Sequence, residues 1–222
     1  MPYTIIIPVY NEYACIPKLL SELEYFGQNN ELIIIDDGSF DKSGEILKSC
    51  SFITLIQFRN NKGKGEAIRA GLKKASNNMI LLFDGDLELN PKELTNFMIL
   101  DKSNKIDGVF GSRINYMNPF KSILCFGNFL LNALFNFIHQ SDYTDVLCGC
   151  KAFHKSDLDI ENFQSTGFDI DIEIASKLVT NNCSIREINL TYNRRSYEDG
   201  KKIKLTDGLR ILIQMFNNIK SK

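Results

Sequence analysis

Short apolar runs alternate with amphipathic segments along the first half of the chain. An apolar run at residues 4–8 is followed by Ile16, Leu19, Leu20, Leu23 and Phe26, which share one face of a helix. Runs with the length of buried strands recur at residues 31–35, 52–58, 79–83, 106–110 and 185–190. Helices are predicted at residues 44–50, from residues 60–65 to residue 76, and from Asn90, an N-cap before a first-turn proline. This alternation predicts an α/β domain with a mostly parallel, doubly wound sheet and helices on both faces.

Two carboxylates follow the apolar run at residues 79–83. Asp84 and Asp86 are separated by one glycine, where a predicted central strand meets the ligand crevice of a parallel sheet. Hard oxygen ligands at this spacing suit Mg²⁺ or Mn²⁺, which takes its remaining ligands from water and phosphate oxygens. The pattern therefore predicts a metal-bound diphosphate at Asp84 and Asp86. A plain loop or a helix cap is the alternative interpretation.

Two more segments carry candidate binding residues. Asp37 ends the run at residues 31–35 and is placed to accept hydrogen bonds from a base or a ribose; the alternative is a plain turn. Lys64 lies between Gly63 and Gly65 at a predicted helix start, where it reaches a donor phosphate or belongs to a solvated charge run. The Walker spacing of a phosphate-binding loop is absent here. No Gly-x-Gly-x-x-Gly follows the first strand, which disfavours a dehydrogenase.

Composition indicates one compact unit. The chain has 222 residues, 44% of them hydrophobic, and no Pro/Ser-rich linker divides it, so a single domain is expected. The net charge of −1 does not favour nucleic acid as a partner. The first apolar run has no basic flank and breaks at Pro8, so a cytoplasmic protein with reduced cysteines is expected. Cys148, Cys150, His154 and His139 lack the usual zinc spacing.

The motifs, taken in order, resemble those of family 2 glycosyltransferases with the GT-A fold. They are IIPVYNE at residues 6–12, IDDGS at 35–39, NKGKG at 61–65, DGD at 84–86 and GSR at 111–113. The second half has DVLCGCK at 145–151, GFDIDIE at 167–173 and YNRRSYEDGKKI at 192–203, and is similar to polyprenyl-phosphate (dolichyl-phosphate) mannose and glucose synthases. The resemblance implies that Pro8, Tyr10 and Glu12 help to bind the nucleotide sugar, and that Asp145 lies by the acceptor phosphate.

Cations cluster after two predicted strands. Arg113 follows the run at residues 106–110, and a second group follows the run at residues 185–190: Arg194, Arg195, Lys201, Lys202 and Lys204. Guanidinium groups fork onto phosphate oxygens, so Arg113, Arg195 and Lys202 are predicted to flank the donor phosphates. We expect this segment, with Gly200 as its hinge, to close over the donor. A solvated loop paired to Glu198 and Asp199 is the alternative.

The acceptor determines whether a base is needed. A lipid phosphate is already ionised near neutral pH, because the second pKa of a monoester is about 6. A hydroxyl acceptor requires a carboxylate to take its proton. Asp145 is then the candidate, with Asp169, Asp171 and Glu173 as other carboxylates near the cleft; Asp145 could instead position Arg195 or cap a turn.

Two segments bear on membrane contact. Residues 123–138 are almost wholly apolar except for Asn128, Asn132 and Asn136, which form one stripe on a helix. This helix is too short to span a bilayer; it lies on the membrane, cradles a lipid chain, or is buried in the core. Residues 209–216 form a second amphipathic helix. Attachment, if any, is expected to be peripheral at the inner membrane face or through a membrane-protein partner.

Three residues depart from the synthase pattern: Gly85 between the aspartates, Glu88, which puts the metal geometry in doubt, and Lys121 in place of a phosphate-binding arginine.

The prediction is one domain, with a nucleotide-sugar half at residues 1–113 and an acceptor half with interfacial helices at 114–222. Its function is that of an inverting glycosyltransferase that moves a hexose from a GDP- or UDP-sugar to polyprenyl phosphate. The alternatives are transfer to a soluble glycan or protein hydroxyl in cell-surface polysaccharide synthesis, a nucleotidyltransferase, and a non-catalytic sugar-nucleotide binding subunit.

Overall fold

A computed structural model describes residues 1–116, 118–195, 202 and 205–220 of the chain. Its seven strands form one sheet, and the strands are β1 (Tyr3–Val9), β2 (Glu31–Asp36), β3 (Thr54–Gln57), β4 (Met79–Leu82), β5 (Gly108–Ser112), β6 (Lys151–His154) and β7 (Ile185–Asn189). The strand order is β3-β2-β1-β4-β6-β5-β7. Only β6 runs against its neighbours, since it pairs antiparallel with both β4 and β5. The mostly parallel sheet is confirmed.

Six α-helices lie between the strands in sequence, and a seventh follows β7: α1 (Ile16–Gly27), α2 (Ser43–Lys48), α3 (Lys64–Lys74), α4 (Leu94–Phe97), α5 (Ile123–His139), α6 (Ile170–Thr180) and α7 (Leu205–Lys220). Asn90 accepts a hydrogen bond from the Lys92 amide, as its predicted N-cap role requires, but only a 3₁₀ turn and the single-turn α4 follow. The β6 strand and α6 were absent from the sequence-based prediction.

Alternating side chains of the strands divide the core into two layers. In β1, Ile6 packs on one face with residues of α3, α5, α6 and α7, while Ile5 and Ile7 pack on the other with residues of α1, α2 and α4. Both layers are buried, as the continuous apolar runs predict for a central parallel strand. Helices therefore cover both faces of the sheet, which is the doubly wound arrangement expected from the sequence.

The helices α5 and α7 expose large apolar side chains, and α7 also exposes Arg210. On α5 the exposed large apolar residues are Ile123, Phe126, Phe129, Leu130 and Phe137, and on α7 they are Leu209, Ile213 and Phe216. The helix α5 carries no Asp, Glu, Lys or Arg. Among the described residues, no single helix has the length and composition of a membrane span. A bent pair, residues 114–121 with α5, meets these criteria together.

Candidate active site

A cavity of about 730 Å³ opens at the carboxyl ends of β1, β2, β4 and β5. It lies where a ligand crevice is expected in an α/β sheet. The predicted site residues that line it are Pro8, Tyr10, Glu12, Asp37, Lys64, Asp84, Asp86, Arg113, Arg195 and Lys202. Asp145 lies beneath Arg113 and does not line the cavity. Of the other carboxylates considered from the sequence, Asp171 lines it, whereas Asp169 and Glu173 do not. Lys201, Lys204 and the proposed hinge Gly200 fall outside the described residues.

Asp84 and Asp86 each contact a cation. Lys64 Nζ is 2.7 Å from Asp84 Oδ1, and Arg195 Nη2 is 3.2 Å from Asp86 Oδ2. Burial, together with the nearby carboxylates of Asp84 and Glu88, raises the pKa of Asp86 to about 6. Negative charge is therefore concentrated at this end of β4, and it is balanced by positive groups that arrive from other elements.

The donor set around Asp84 and Asp86 fits a divalent ion that also takes ligands from a diphosphate. Within the described part of the chain, no three His, Cys, Asp or Glu side chains cluster as a metal site, so the protein supplies fewer ligands than a closed site would. Mg²⁺ and Mn²⁺ sites of this kind are completed by water and phosphate oxygens. The backbone leaves room for the carboxylates, because a Cβ at Gly149 would lie 2.2 Å from Asp84 Oδ2.

Arg195 and Lys202 of the C-terminal segment both line the cavity and pair with Glu12. Arg195 donates from Nη1 to Glu12 Oε2 at 2.7 Å and from Nη2 to Glu12 Oε1 at 3.0 Å. Lys202 also pairs with Glu12 and lies 5.9 Å from the centre of the Tyr10 ring. These ion pairs hold the described part of the segment over the end of β1, above the side chains predicted to bind the nucleotide.

Glu88 anchors the same segment. Its carboxylate accepts hydrogen bonds from the Tyr192 hydroxyl at 2.8 Å and from the Arg195 amide at 2.9 Å. The Asn193 amide donates to the Glu88 carbonyl. Glu88 therefore positions the backbone that carries Arg195, a role that the sequence did not indicate.

Asp37 organises the turn before α3. Its carboxylate accepts from the amides of Lys62 at 2.7 Å and Gly63 at 2.9 Å, and from the side chain of Asn61 at 2.9 Å. Burial raises the pKa of Asp37, although these amide donors oppose the rise. In this structure Asp37 holds the turn that leads to Lys64, and the same turn lies beside the cavity.

The turn before α3 is packed tightly against the loop before α6. The Gly65 amide donates to the Thr166 carbonyl at 2.8 Å, and a Cβ at Gly63 would lie 2.3 Å from that oxygen. Gly63 also has a φ of 99°, a conformation that favours glycine. This packing fixes the base of Lys64, whose Nζ is 2.9 Å from Asp171 Oδ2 as well as close to Asp84.

Arg113 is held by a carboxylate below it. Asp145 accepts from Arg113 Nε at 2.7 Å and Nη2 at 2.9 Å, and from the Arg113 amide at 3.1 Å. The Asp145 side chain is 1% exposed. The Arg113 guanidinium lies 5.4 Å from the centre of the Tyr192 ring and lines the cavity. In this geometry Asp145 pairs with Arg113, not with Arg195 as considered from the sequence.

The far side of the cavity is formed by residues of α5, α7 and the segment before α5. Sequence reasoning did not select most of them: Tyr116, Leu124, Thr206, Asp207, Arg210 and Ile211. Nothing in their local pattern marks them, because they converge only through helix packing. Lys121 is not among the lining residues. Arg194 lines the cavity and donates to Cys125 Sγ at 2.7 Å and to Ser122 Oγ at 3.2 Å, at the start of α5.

The asparagine stripe of α5 serves a neighbouring loop. Asn132 and Asn136 both donate to the Tyr143 carbonyl, at 2.7 and 2.8 Å, and Asn132 accepts from the Val146 amide at 2.9 Å. Only Asn128 of the three lines the cavity. The stripe therefore fixes the segment that leads into Asp145.

The sheet, the carboxylate pair at the end of β4 and the surrounding cations define the class of this protein: it is a glycosyltransferase with the GT-A fold. The model of Glycosyl transferase family 2 matches residues 4–159, and the chain belongs to that family.

Two sequence relatives are informative. The chain is 28% identical over 223 residues to Glycosyltransferase AglJ of Haloferax volcanii. This alignment covers 98% of the present chain and 72% of the relative. It is 36% identical over 104 residues to the undecaprenyl-phosphate 4-deoxy-4-formamido-L-arabinose transferase of Shewanella sediminis. That match covers 43% of this chain and 31% of the relative, so the chain spans about a third of such transferases.

Solved structures share the fold. Glucosyl-3-phosphoglycerate synthase of Mycobacterium tuberculosis, in complex with Mn²⁺, UDP and glucosyl-3-phosphoglycerate, has a TM-score of 0.72 at 18% identity over 98% of this chain and 79% of that one. A mannosyltransferase of Pyrobaculum calidifontis, in complex with GDP-Man and Mn²⁺, has a TM-score of 0.65 at 18% identity over 99% of this chain and 64% of that one.

Proposed function

We propose that the chain is an inverting glycosyltransferase that moves a hexose from a GDP- or UDP-sugar to polyprenyl phosphate, at the inner face of a membrane. The observation that carries this proposal is the course of the cavity. It runs from the paired carboxylates and cations at the end of β4 to α5 and α7, which expose large apolar side chains beside it. The first end suits a diphosphate, and the exposed apolar side chains next to the second end suit a lipid.

The donor half rests on charge and position. Asp84 and Asp86 would hold Mg²⁺ or Mn²⁺, which stabilises the negative charge that develops on the leaving diphosphate. Arg195 and Lys202 are close enough to exchange their present carboxylate partners for phosphate oxygens. Tyr10 and Pro8 line the wall beside Asp37, where the nucleoside would bind. Relatives of known structure bind UDP or GDP-Man with Mn²⁺, which supports this assignment.

The acceptor half rests on the state of the carboxylates. The carboxylates that line the cavity are Glu12, Asp37, Asp84, Asp86, Glu88, Asp171 and Asp207. Each of them already contacts a cation, an amide or another partner. A general base at one of them would first have to give up such a partner, whereas an acceptor that is already ionised needs no base. A phosphate monoester meets this requirement near neutral pH.

The partners of these carboxylates also support inversion as part of the proposal, because a retaining double displacement requires a carboxylate that is free to attack the anomeric carbon. In the proposed reaction, an oxygen of the acceptor phosphate forms the new bond to that carbon while the bond to the donor diphosphate breaks. The electron pair leaves with the diphosphate, and no proton transfer is needed. Arg113, which the sequence assigns to the donor phosphates, is oriented by Asp145, and we propose that it also contacts the acceptor phosphate.

The apolar surfaces favour a lipid acceptor. Phe126, Phe129 and Leu130 are about half exposed and Phe137 is 84% exposed, on a helix without charged side chains. Phe120 is 91% exposed and precedes Lys121, a combination suited to the headgroup region of a bilayer. The name of the Shewanella sediminis relative, an undecaprenyl-phosphate transferase, supports the same acceptor class.

Transfer of radiolabel tests this proposal. The protein is incubated with pooled labelled UDP- and GDP-sugars, Mn²⁺ and undecaprenyl phosphate, and the product is extracted into organic solvent. We expect label in the lipid phase, loss of that label in Asp84→Asn, and its retention in Asp159→Asn, which removes an exposed carboxylate elsewhere. Metal-dependent release of nucleotide without labelled lipid would overturn the lipid acceptor and indicate a soluble hydroxyl. Release of pyrophosphate from a nucleoside triphosphate, dependent on an added sugar 1-phosphate, would indicate a nucleotidyltransferase.

A further inference from the structure

Lys64 is shared between two carboxylates that come from distant parts of the chain. Its Nζ lies 2.7 Å from Asp84 Oδ1 and 2.9 Å from Asp171 Oδ2. The Lys64 side chain is 10% exposed and that of Asp171 is 6% exposed. One ammonium thus neutralises two anions, the buried Asp171 and the partly exposed Asp84, which is a proposed metal ligand.

Asp171 has the capacity to hold this ammonium alone. It lies in the first turn of α6, where the helix dipole favours a negative side chain. Its second oxygen, Oδ1, is buried and accepts no hydrogen bond from any residue that the structure describes. The loop before α6 is fixed against the start of α3 by the Gly65 contact with Thr166. The distance between Lys64 and Asp171 is therefore set by packed backbone.

A divalent ion on Asp84 would repel the Lys64 ammonium, because both charges would lie within a few ångströms of the same oxygen atoms. With Asp171 present, the ammonium keeps a carboxylate partner after a small shift. Without it, leaving Asp84 would strand a buried charge, which is costly. Lys64 would then stay on Asp84 and compete with the ion.

We propose that Asp171 is a positioning residue that accepts Lys64 when the metal binds, and so frees Asp84 to become a metal ligand. This inference rests on the proposed function, since it requires the metal site at Asp84 and Asp86. It gives Asp171 a role in metal affinity although Asp171 does not contact the metal.

The affinity for Mn²⁺ tests the role of Asp171. It is measured by electron paramagnetic resonance in the presence of UDP and, separately, of GDP. We expect Asp171→Asn to weaken Mn²⁺ binding at least tenfold, the effect of losing one hydrogen bond to a charged group. Asp169→Asn is the matched control. This substitution also removes one negative charge near the start of α6, but the native Asp169 carboxylate accepts from the Gly167 amide and does not contact Lys64. The Mn²⁺ affinity of the Asp169→Asn variant should therefore equal that of the wild type.

A double-mutant cycle separates positioning from simple electrostatics. In a Lys64→Met background no ammonium competes for Asp84, so adding Asp171→Asn should change Mn²⁺ affinity less than twofold. A tenfold loss in that background would overturn the inference, because the negative charge itself would then be what matters. Equal affinity of Asp171→Asn and wild type would also overturn it. Thermal unfolding checks each variant, and Asp171→Ser serves as a second substitution with the same expectation.

The proposed function fails in a different way. If the wild type binds no Mn²⁺ with either nucleotide, the metal site itself is refuted, and the role of Asp171 with it. If the wild type binds Mn²⁺ and all variants match it, only the role of Asp171 is refuted.

Discussion

Replacing Gly149 with alanine should disable the site while leaving the fold intact. A Cβ at this position would lie 2.2 Å from Asp84 Oδ2, 2.9 Å from Asp84 Cγ and 2.7 Å from Lys64 Nζ. Non-bonded heavy atoms normally approach to about 3.5 Å. The Asp84 carboxylate must therefore move by about 1 Å, and Lys64 must move with it. Gly149 does not have a positive φ, so the alanine adds no backbone strain.

The expected cost to function is much larger than the cost to stability. The atoms in conflict are the ends of two side chains, which can rotate, so the free energy of unfolding should fall by only about 1 kcal/mol. A misplacement of about 1 Å in a catalytic group can lower turnover on the order of a hundredfold. We therefore expect kcat/KM for the labelled donor to fall about a hundredfold and Mn²⁺ binding to weaken.

The measurement combines sugar transfer with urea unfolding followed by circular dichroism. Gly127→Ala provides the control, because a Cβ there meets nothing within 4 Å and alanine is the better helix former. It should keep full activity. If Gly149→Ala retains wild-type kcat/KM, then Asp84 does not need its present position, and the reasoning about this site is refuted. A loss of stability above about 3 kcal/mol would show instead that the substitution damages the core.

Three further results are expected. Asp145→Asn should lower the free energy of unfolding by about 3 kcal/mol in urea denaturation, because it leaves the buried Arg113 guanidinium without an anion; a change below 1 kcal/mol would contradict this. Burial lowers the pKa of His154 below its ordinary value, so the unfolded state takes up the proton first; stability should be complete above about pH 6.5 and fall below it, and His154→Gln should flatten that fall. Phe137→Ser should reduce co-sedimentation with anionic vesicles about tenfold, whereas the equally exposed Phe40→Ser should not; equal effects would remove α5 from the membrane contact.

Much of the sheet was readable from the sequence because its strands are buried on both sides. Residues 32–35 and 79–83 are uninterrupted apolar runs, and β2 and β4 form there. The β6 strand lacks this signal. It is four residues long and reads Lys-Ala-Phe-His, with a charged residue at its start. Lys151 is tolerated because its ammonium donates to the carbonyls of Val146 and Cys148, a solution that only the folded loop provides.

In the candidate site, too, the residues marked by a local pattern were predictable and the contacts between distant segments were not. Residues that directly follow strands, such as Asp84 and Arg113, were predicted because the ends of parallel strands meet at one edge. The partners of these residues were not predictable, since they depend on contacts between distant segments. Glu88 was read as a disturbance of the metal geometry, yet it binds Tyr192 and the Arg195 amide. The roles of the site residues in catalysis remain predictions, which the variants above test.

The reversed direction of β6 has a consequence for how such an enzyme can be rebuilt. Because β6 enters the sheet from the edge where β4 ends, the segment before it delivers Gly149 to Asp84. Residues from beyond position 113 thus shape the proposed donor pocket, and β6, which follows them, lies between β4 and β5. Exchanging residues 114–222 as one block would therefore also replace residues that contact Asp84 and Lys64. A chimera that keeps residues 145–154 and 165–171 together with the original residues 1–113 retains the contact of Gly149 with Asp84 and that of Asp171 with Lys64.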